Sequence, residues 1–262
     1  MSNTLFDCGG HWKFQPRGRC GVALNSEYGI ARGRQPFQVA IVRAAINVAD
    51  DGGPEALTMQ SVAQVLGAFT PMSLYRYVDS KQALLDAIAD RVFEEFQFSA
   101  DDSADWREQL RDLAYSYRRL LLAHPAIAAL RPATTPPLSV NQARAVEVFL
   151  RTLARAGFSP QQAALLEIEF ETFVLAHVLL ETGGGTPAPG DKEQSARIRQ
   201  VRARLLTLPP EEFPHIVEAA TYMSEPPDPD WAFQLGLDLL IGGFEKVLDS
   251  MDASRQCRAA SE

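Results

Sequence analysis

The chain has 262 residues, of which 46% are hydrophobic, and its formal net charge is -8 at pH 7. This size and composition suffice for one large or two modest packed domains. The acidic balance excludes a protein that coats nucleic acid through a broad basic surface, although a small site with a few well-placed cations remains compatible with it.

The three cysteines lie near the ends of the chain, at Cys8, Cys20 and Cys257. Their odd number argues against a disulfide framework. Cys8 and Cys20 together with His11 lack a fourth ligand and the spacing of a zinc site, so we expect no metal and no other cofactor. No apolar run is long enough to span a membrane and the N-terminus has no apolar signal core, so we expect a cytoplasmic location and no membrane partner.

Residues 1–35 show no apolar periodicity, and we interpret them as a flexible arm. Several cations lie in this arm, namely Lys13, Arg17, Arg19, Arg32 and Arg34. Acidic residues outnumber cations in the following segment, 36–98. Positive charge is therefore placed just ahead of the first predicted domain.

Two helices are predicted at the start of that domain. Apolar residues recur at the spacing of one buried helical face over 36–51, which predicts the first helix. The second helix is predicted over 58–66, because Thr58 is a favourable N-cap and Gly67 a natural C-terminal stop.

Two further helices follow after a tight turn. The third is predicted over 70–77, with Thr70 as its cap. The fourth is predicted to begin at Asp79 or Ser80, where Asp79 and Gln82 would form a capping box.

The remaining chain is predicted to form a second helical domain over 104–252, followed by a tail over 253–262. Breaks rich in proline and glycine separate six predicted helices, at 105–123, 139–156, 160–182, 194–206, 211–222 and 230–250. No stretch alternates as a β-strand does. The predicted fold class is therefore all-α, with a three-helix helix-turn-helix domain over 36–98 ahead of the larger helical domain.

The two short helices are suited to reading DNA, because the B-form major groove admits one α-helix that is braced from behind. In this interpretation 58–66 is the brace, and 70–77 presents donors and ring edges to bases and phosphates. The predicted DNA contacts are made by Arg34, Thr58, Thr70, Pro71, Ser73, Tyr75, Arg76, Tyr77 and Lys81. From spacing alone, the same two helices also fit an ordinary corner of a helical bundle.

The first domain contains a recognisable series of motifs, in order Asp50-Asp51-Gly52, Leu57-Thr58, Val62-Ala63-x-x-Leu66-Gly67, Met72-Ser73-Leu74-Tyr75-Arg76-Tyr77-Val78 and Ser80-Lys81-x-x-Leu84-Leu85. In this combination, residues 37–92 resemble the DNA-binding domain of TetR-family transcriptional regulators. The resemblance implies that the third helix enters the major groove, with Tyr75 and Lys81 touching phosphates. It also implies a homodimer that binds a palindromic operator and acts as a repressor released by a small ligand.

One feature departs from the family pattern. The segment from Gly67 to Leu74 has eight residues, counting both ends, where the family usually has seven. Ala68 or a neighbour is inserted, which leaves the register of the reading helix open, above all the role of Thr70.

The second domain is similar to the C-terminal domain of the tetracycline-repressor type. The similarity is carried by His124-Pro125, Leu208-Pro209-Pro210-Glu211-Glu212-Phe213-Pro214-His215 and Phe233-x-x-Gly236-Leu237-x-x-Leu240-x-x-Gly243. Helix 160–182 is apolar nearly all round and must be covered on every side. Helix 230–250 carries glycines that allow close approach of another backbone. We predict a homodimer through these two helices; as the alternative, both are ordinary core helices.

A ligand pocket should be mostly apolar with a few polar groups. The candidates are Tyr117, His124, Phe149, Phe170, Phe173 and His177. His177 is alternatively a core histidine or a dimer contact, and His124 a helix-end residue. Glu167, Glu169 and Glu171 alternate along one helix and are interpreted as partly solvated, with contact to a cationic ligand as the alternative.

No set of residues forms a convincing nucleophile, base and orienter, so we do not expect an enzyme. The sequence predicts a TetR-like DNA-binding regulator, a repressor released from its operator by a small-molecule effector. The alternatives are a regulator that activates or binds DNA without a ligand, and a helical small-molecule-binding protein or enzyme that reuses the fold.

Overall fold

The computed structural model describes residues 34–67, 69–98, 104–130, 139–183 and 190–259. Across these ranges it contains eleven α-helices, one 3-10 turn and no strand, so the predicted all-α class is confirmed. The predicted arm lies outside the described residues, except for its last two positions, which begin the first helix.

The helices form a small N-terminal unit and a larger body. The N-terminal unit comprises α1 (Arg34–Gly52), a 3-10 turn (Pro54–Ala56), α2 (Met59–Leu66), α3 (Pro71–Leu74) and α4 (Lys81–Phe93). The body comprises α5 (Trp106–Ala123), α6 (Pro125–Leu130), α7 (Val140–Ala156), α8 (Pro160–Thr182), α9 (Asp191–Leu206), α10 (Pro214–Ser224) and α11 (Pro229–Ala259).

The predicted ends of α2 are confirmed by its capping contacts. The Thr58 hydroxyl accepts a hydrogen bond from the amide of Ser61 at 3.0 Å. Gly67 ends the helix with a φ of 78°, in the left-handed region that favours glycine. The brace is therefore a rigid, well-delimited two-turn helix.

The expected capping box of Asp79 and Gln82 is wrong. Ser80 caps α4 instead, because its hydroxyl accepts from the amide of Ala83 at 3.0 Å. Gln82 turns along the helix and donates to the Asp86 carboxylate at 3.0 Å. The cap lies one residue later than predicted, so α4 begins at Lys81.

The N-terminal unit has its own apolar core. Side chains from every helix of the unit are almost fully buried there, including Ile41, Leu57, Val62, Leu74 and Leu84. Because α2 packs against both α1 and α3, it supports α3 from behind. The third helix is shorter than predicted, since regular α-helix ends at Leu74 and turns follow to Tyr77.

The body packs α7 and α11 against α5 and α8. A buried arginine ties three of these helices together: Arg118 of α5 donates to Glu181 of α8 at 2.8 Å and to Asp230 of α11 at 2.6 Å. Its guanidinium also lies 4.8 Å from the ring centre of Phe233. Pairing and ring contact together compensate for removing this charge from water.

Helix α6 was not predicted from the sequence, and it joins the two units. It packs against α1 and the 3-10 turn on one side and α8 on the other. It escaped prediction because it has only six residues and begins directly at Pro125. The last helix is longer than expected and extends to Ala259, through part of the predicted tail.

Helices α9 and α10 pack mainly on each other as a hairpin. Apolar side chains remain exposed on it, among them Leu206, Tyr222 and Met223. Across the part of the chain that the structure describes, no helix is both long and apolar enough to cross a bilayer.

Candidate nucleic-acid interface and ligand cavity

The start of α3 is held by a reciprocal pair of hydroxyl contacts. Thr70 Oγ1 accepts from the amide of Ser73 at 3.3 Å, and Ser73 Oγ accepts from the amide of Thr70 at 3.0 Å. The Ser73 hydroxyl also donates to the carbonyl of Thr70 at 2.7 Å. Ser73 is thus occupied within the cap, whereas the Thr70 hydroxyl hydrogen remains available as a donor.

One face of the α3 region is exposed and carries both cations of this surface. Arg76 and Lys81 are exposed, and neither forms a salt bridge with any described residue. Tyr75 is 43% exposed beside them. These three predicted contact residues are therefore all accessible to solvent.

Met72 of α3 is 77% exposed, yet sequence reasoning did not select it as a contact. A search for hydrogen-bond donors overlooks an apolar side chain, although an apolar group can recognise the thymine methyl in the major groove. One feature of the sequence could have indicated its exposure: Met72 directly follows Pro71, on a helix with few apolar residues.

Tyr77 belongs mainly to the support of α3 rather than to its exposed face. Its ring is half-buried and lies 4.3 Å, centre to centre, from the ring of Phe37. Its carbonyl accepts from the Gln38 side chain at 2.6 Å. Among the other predicted contacts, Thr58 caps α2 and Pro71 is half-buried. The Arg34 side chain lies outside the described residues.

A cavity opens between α4, α5, α7 and α8, with about 480 Å³ of empty space that includes open solvent at its mouth. Its described lining residues are Phe93, Phe96, Leu113, Tyr117, Gln142, Ala145, Val146, Phe149, Glu167, Phe170 and Glu171. A mostly apolar lining with a few polar groups is typical of small-molecule sites. We call this space the cavity below.

Three of the six residues predicted for a ligand pocket line the cavity: Tyr117, Phe149 and Phe170. The expectation that Phe173 and His177 share it is corrected by the geometry. Those two rings pack on Phe233 of α11, at 5.3 and 5.5 Å between ring centres. Burial and the nearby Arg118 charge lower the pKa of His177. His177 is half-buried, so both alternatives considered for it, a core histidine and a dimer contact, stay open.

His124, the sixth candidate, lies between the two units instead of at the cavity mouth. Its Nδ1 is 3.0 Å from the Asp50 carboxylate of α1, and its Nε2 is 3.4 Å from the Glu95 carboxylate just after α4. The hydrogen bond with Asp50 is the main cause that raises the pKa of His124. The residue ends α5, as the alternative interpretation held.

Six lining residues were missed by sequence reasoning as ligand contacts: Phe93, Phe96, Leu113, Gln142, Ala145 and Val146. Phe93 and Phe96 fall in the segment attributed to the first domain, so their sequence position gave no sign that they face the body. Gln142 follows the helix-start pattern of Ser139, which it completes as a capping box. That pattern indicated a cap and not a cavity.

Helix α4 connects the exposed face to the cavity. Lys81 begins it beside α3, and Phe93 ends it in the cavity. Near the cavity, Asn141 of α7 donates from its backbone amide to the Asp90 side chain at 3.2 Å and from its side chain to the Asp90 carbonyl at 3.3 Å. Helix α4 therefore contributes to the cavity and is bonded there to α7.

Helices α8 and α11 each expose three large apolar side chains. On α8 these are Leu165, Ile168 and Leu180, and on α11 they are Trp231, Leu235 and Leu239. The α11 residues follow each other at intervals of four and so share one helical face. An exposed apolar face of this kind is typical of a protein–protein contact.

Comparisons with known proteins give a consistent result. Residues 99–248 match the family described as "Tetracyclin repressor-like, C-terminal domain". The chain is 31% identical over 210 residues to tetracycline repressor protein class C of Escherichia coli, covering 79% of this chain and 90% of that protein. It is 34% identical over 146 residues to an HTH-type transcriptional regulator of Saccharopolyspora erythraea, covering 55% of this chain and 61% of that protein.

Among solved structures, the fold is similar to that of the Streptomyces coelicolor TetR family protein ActR in complex with actinorhodin. The TM-score is 0.69 at 29% identity, covering 80% of this chain and 97% of that chain. The relatives are named as transcriptional regulators or repressors, and none of those described here is named as an enzyme.

Proposed function

This chain belongs to the TetR family of DNA-binding transcriptional regulators, and we propose that it is a homodimeric repressor which leaves a palindromic operator when a small molecule enters the cavity. The observation that carries the proposal is the path of α4, from the exposed face at Lys81 to the cavity at Phe93. At ~1.5 Å per residue, these 13 residues span roughly 20 Å.

The exposed face around α3 supports the DNA-binding part of the proposal. Arg76 and Lys81 offer charge to phosphates, while Thr70, Met72 and Tyr75 stand beside them on the accessible side. A buried brace keeps α3 in place, which the entry of a helix into the major groove requires. Because the chain as a whole is acidic, affinity would depend on these few local contacts.

The dimeric part is supported by the apolar faces of α8 and α11. A second copy could cover both faces and form a four-helix interface. A two-fold dimer places two copies of α3 about one duplex turn apart, roughly 34–36 Å, as a palindromic operator demands. As a regulator of transcription, the protein would act in the cytoplasm, where bacterial DNA lies.

Release by an effector is supported by the cavity and by the position of α4, whose last residue lines it. A ligand that binds better to one arrangement of α4 shifts the population towards it. If that arrangement changes the separation of the two α3 helices, operator affinity falls. The ActR relative was solved with actinorhodin bound, which supports a small-molecule effector here too.

Operator binding can be measured by fluorescence anisotropy with DNA from upstream of the gene. We expect Arg76→Ala and Lys81→Ala each to weaken binding, and Lys81→Ala to lower the slope of log affinity against log salt by about one phosphate contact. Arg119→Ala is the matched control, since Arg119 is an exposed arginine of the body. The proposed DNA contacts would be refuted if the control weakened binding equally, or if neither Arg76→Ala nor Lys81→Ala weakened it.

A further inference from the structure

We infer that Met72 makes each half of the operator selective for a thymine, because its side chain packs on the C5-methyl group of that base in the major groove. This inference rests on the proposed function, in which α3 enters the groove, and it names a residue and a base that determine specificity. Arg76 and Lys81 offer charge to phosphates, and contacts of that kind carry no sequence information directly.

The turn ahead of α3 determines where the first residues of that helix lie. Although this turn contains one residue more than the family pattern, Phe69 packs on Phe37, with 4.5 Å between ring centres. Thr70 is the N-cap, so Pro71 and Met72 are the first two residues of the helix. In helix-turn-helix proteins the N-terminal residues of the reading helix contact base edges. Met72 therefore occupies a position from which bases are read.

The other side chains of this first turn have less to offer a base. Ser73 Oγ accepts from the amide of Thr70 and donates to its carbonyl, so it is occupied within the cap. Pro71 is half-buried and has no polar group on its side chain. Thr70 is exposed, but its hydroxyl oxygen accepts from the Ser73 amide at 3.3 Å. Among these four residues, Met72 alone presents a large apolar side chain to solvent, and it is 77% exposed.

The neighbours of Met72 distinguish it from an ordinary exposed apolar residue, since single residues of that kind are common on protein surfaces. Tyr75 and Arg76 follow Met72 by three and four residues, the spacing at which helical side chains lie side by side. Tyr75 keeps right-handed helical angles, with φ at -63° and ψ at -11°, so this spacing still applies just after α3. Both neighbours are exposed. Met72 thus lies beside a phenol and a cation that can contact the DNA backbone.

The major groove of unmodified DNA offers Met72 one apolar partner. Guanine, adenine and cytosine present only donors and acceptors there, whereas thymine also presents its C5-methyl group. A flexible thioether side chain can bury apolar surface against that methyl group. Opposite a G·C pair, the same side chain would remove polar base groups from water without replacing their hydrogen bonds, which is unfavourable. Selectivity for a T·A pair follows from this difference in affinity.

The test removes the methyl group from the DNA and the apolar side chain from the protein, separately and together. After a footprint has located the operator, each thymine is replaced by deoxyuridine at the symmetric positions of both half-sites. Deoxyuridine keeps the O4 acceptor and the base pairing and lacks only the methyl group. Dissociation constants are measured by fluorescence anisotropy for full-length wild type, Met72→Ala and Met223→Ala. Met223 is the matched control, since it is a methionine that is 57% exposed on α10.

We expect at least one symmetric pair of thymines at which deoxyuridine weakens wild-type binding roughly tenfold, since burial of each of the two methyl groups contributes about threefold to fourfold. In Met72→Ala the loss at that pair should fall below about twofold, because the partner of the methyl group is gone. Met223→Ala should reproduce the wild-type pattern. If Met72→Ala binds too weakly to be scanned, all three proteins are scanned at lower salt, where phosphate contacts strengthen binding.

Three results would overturn the assignment of Met72: insensitivity of the wild type at every thymine pair, full sensitivity in Met72→Ala, or loss of sensitivity in Met223→Ala as well. In each of them the wild type still binds the unmodified operator, so the proposed function stands. Absence of any specific complex between the wild type and the unmodified upstream DNA refutes the proposed function instead, and the selectivity for thymine with it.

Discussion

Met72 is the most exposed apolar side chain near the cations of α3, and this position suggests contact with base edges rather than with phosphates. We predict that Met72→Ala weakens operator binding by about 1 kcal/mol or more without changing its salt dependence, because no charge is lost. The measurement is a set of anisotropy titrations at several salt concentrations, with Lys81→Ala as the comparison. A flatter salt slope in Met72→Ala would contradict the assignment.

The sequence around α3 identifies side chains that can contact DNA, but it does not predict which of them are already hydrogen-bonded within the protein. Thr70 and Ser73 were both assigned to DNA contact because both carry hydroxyls. The reciprocal cap occupies Ser73 and leaves Thr70 a donor, a distinction that depends on hydroxyl geometry at the helix start. Tyr75 and Tyr77 likewise have the same chemistry, but only Tyr77 packs on Phe37.

The histidine between the two units makes their junction sensitive to pH. The groups that face His124 are Asp50 from α1 and Glu95 after α4, and Arg91 of α4 in turn pairs with Glu95 at 3.8 Å. Because the pKa of His124 is raised in the folded state, its contribution is fully present below the ordinary histidine pKa of about 6.5. The contribution is lost as pH rises through the raised value.

We therefore predict that His124→Gln lowers the free energy of unfolding most at mildly acidic pH, above the range where the carboxylates protonate. The difference from wild type should shrink as pH rises past the raised pKa of His124. Urea unfolding at a series of pH values measures this, with His215→Gln as control, since His215 is exposed on α10. A difference that grows with pH would reverse the sign and refute the assignment.

The approach of α11 to α8 depends on one glycine. A Cβ added at Gly236 would lie 2.6 Å from Cε2 of Phe173 and 3.2 Å from Nε2 of His177. We predict that Gly236→Ala destabilises the fold by roughly 1–3 kcal/mol, because these rings are packed and cannot move freely. Denaturant unfolding measures the loss. At Gly242 a Cβ would have no atom within 4 Å, so Gly242→Ala should be neutral or slightly stabilising in this measurement.

Long helices were predicted well because their sequences carry explicit start and stop signals. Helix α8 has the predicted bounds, since Ser159 caps it, Pro160 opens it and Gly183 ends it in the left-handed region. The roles of the α11 glycines were harder to assign. Gly236 meets α8 within the same chain, whereas a Cβ at Gly243 would point into open space. The two glycines differ only in what packs against them, and the spacing of residues along a helix does not predict the packing partner.

Dimerisation is the expectation that depends on the whole molecule. The exposed face of α11 centres on Leu239, which is 70% exposed. We predict that Leu239→Glu shifts the protein from dimer to monomer, because a buried charge without a partner is strongly unfavourable at an interface. Analytical ultracentrifugation measures the change. Val140→Glu is the control, since Val140 is 67% exposed on α7; a wild-type protein that is already monomeric would refute the interface.

The cavity could be predicted from the sequence only in part. Tyr117, Phe149 and Phe170 were found because aromatic residues on adjoining helices favour a pocket. Phe93 ends α4 and Phe96 follows it, and their place in the cavity depends on how the N-terminal unit packs on α7. No local pattern encodes that packing, which is set by distant contacts such as the bonds between Asn141 and Asp90.

The central claim is that two copies of α3 read a palindrome together, and a footprint of the full-length protein on the DNA upstream of its gene tests it most directly. The account predicts a protected site with two-fold symmetry, whose half-sites are centred roughly 34–36 Å apart. Protection should disappear in Arg76→Ala at the same protein concentration. Absence of a protected site, or protection of a single asymmetric half-site by a monomer, would contradict the account.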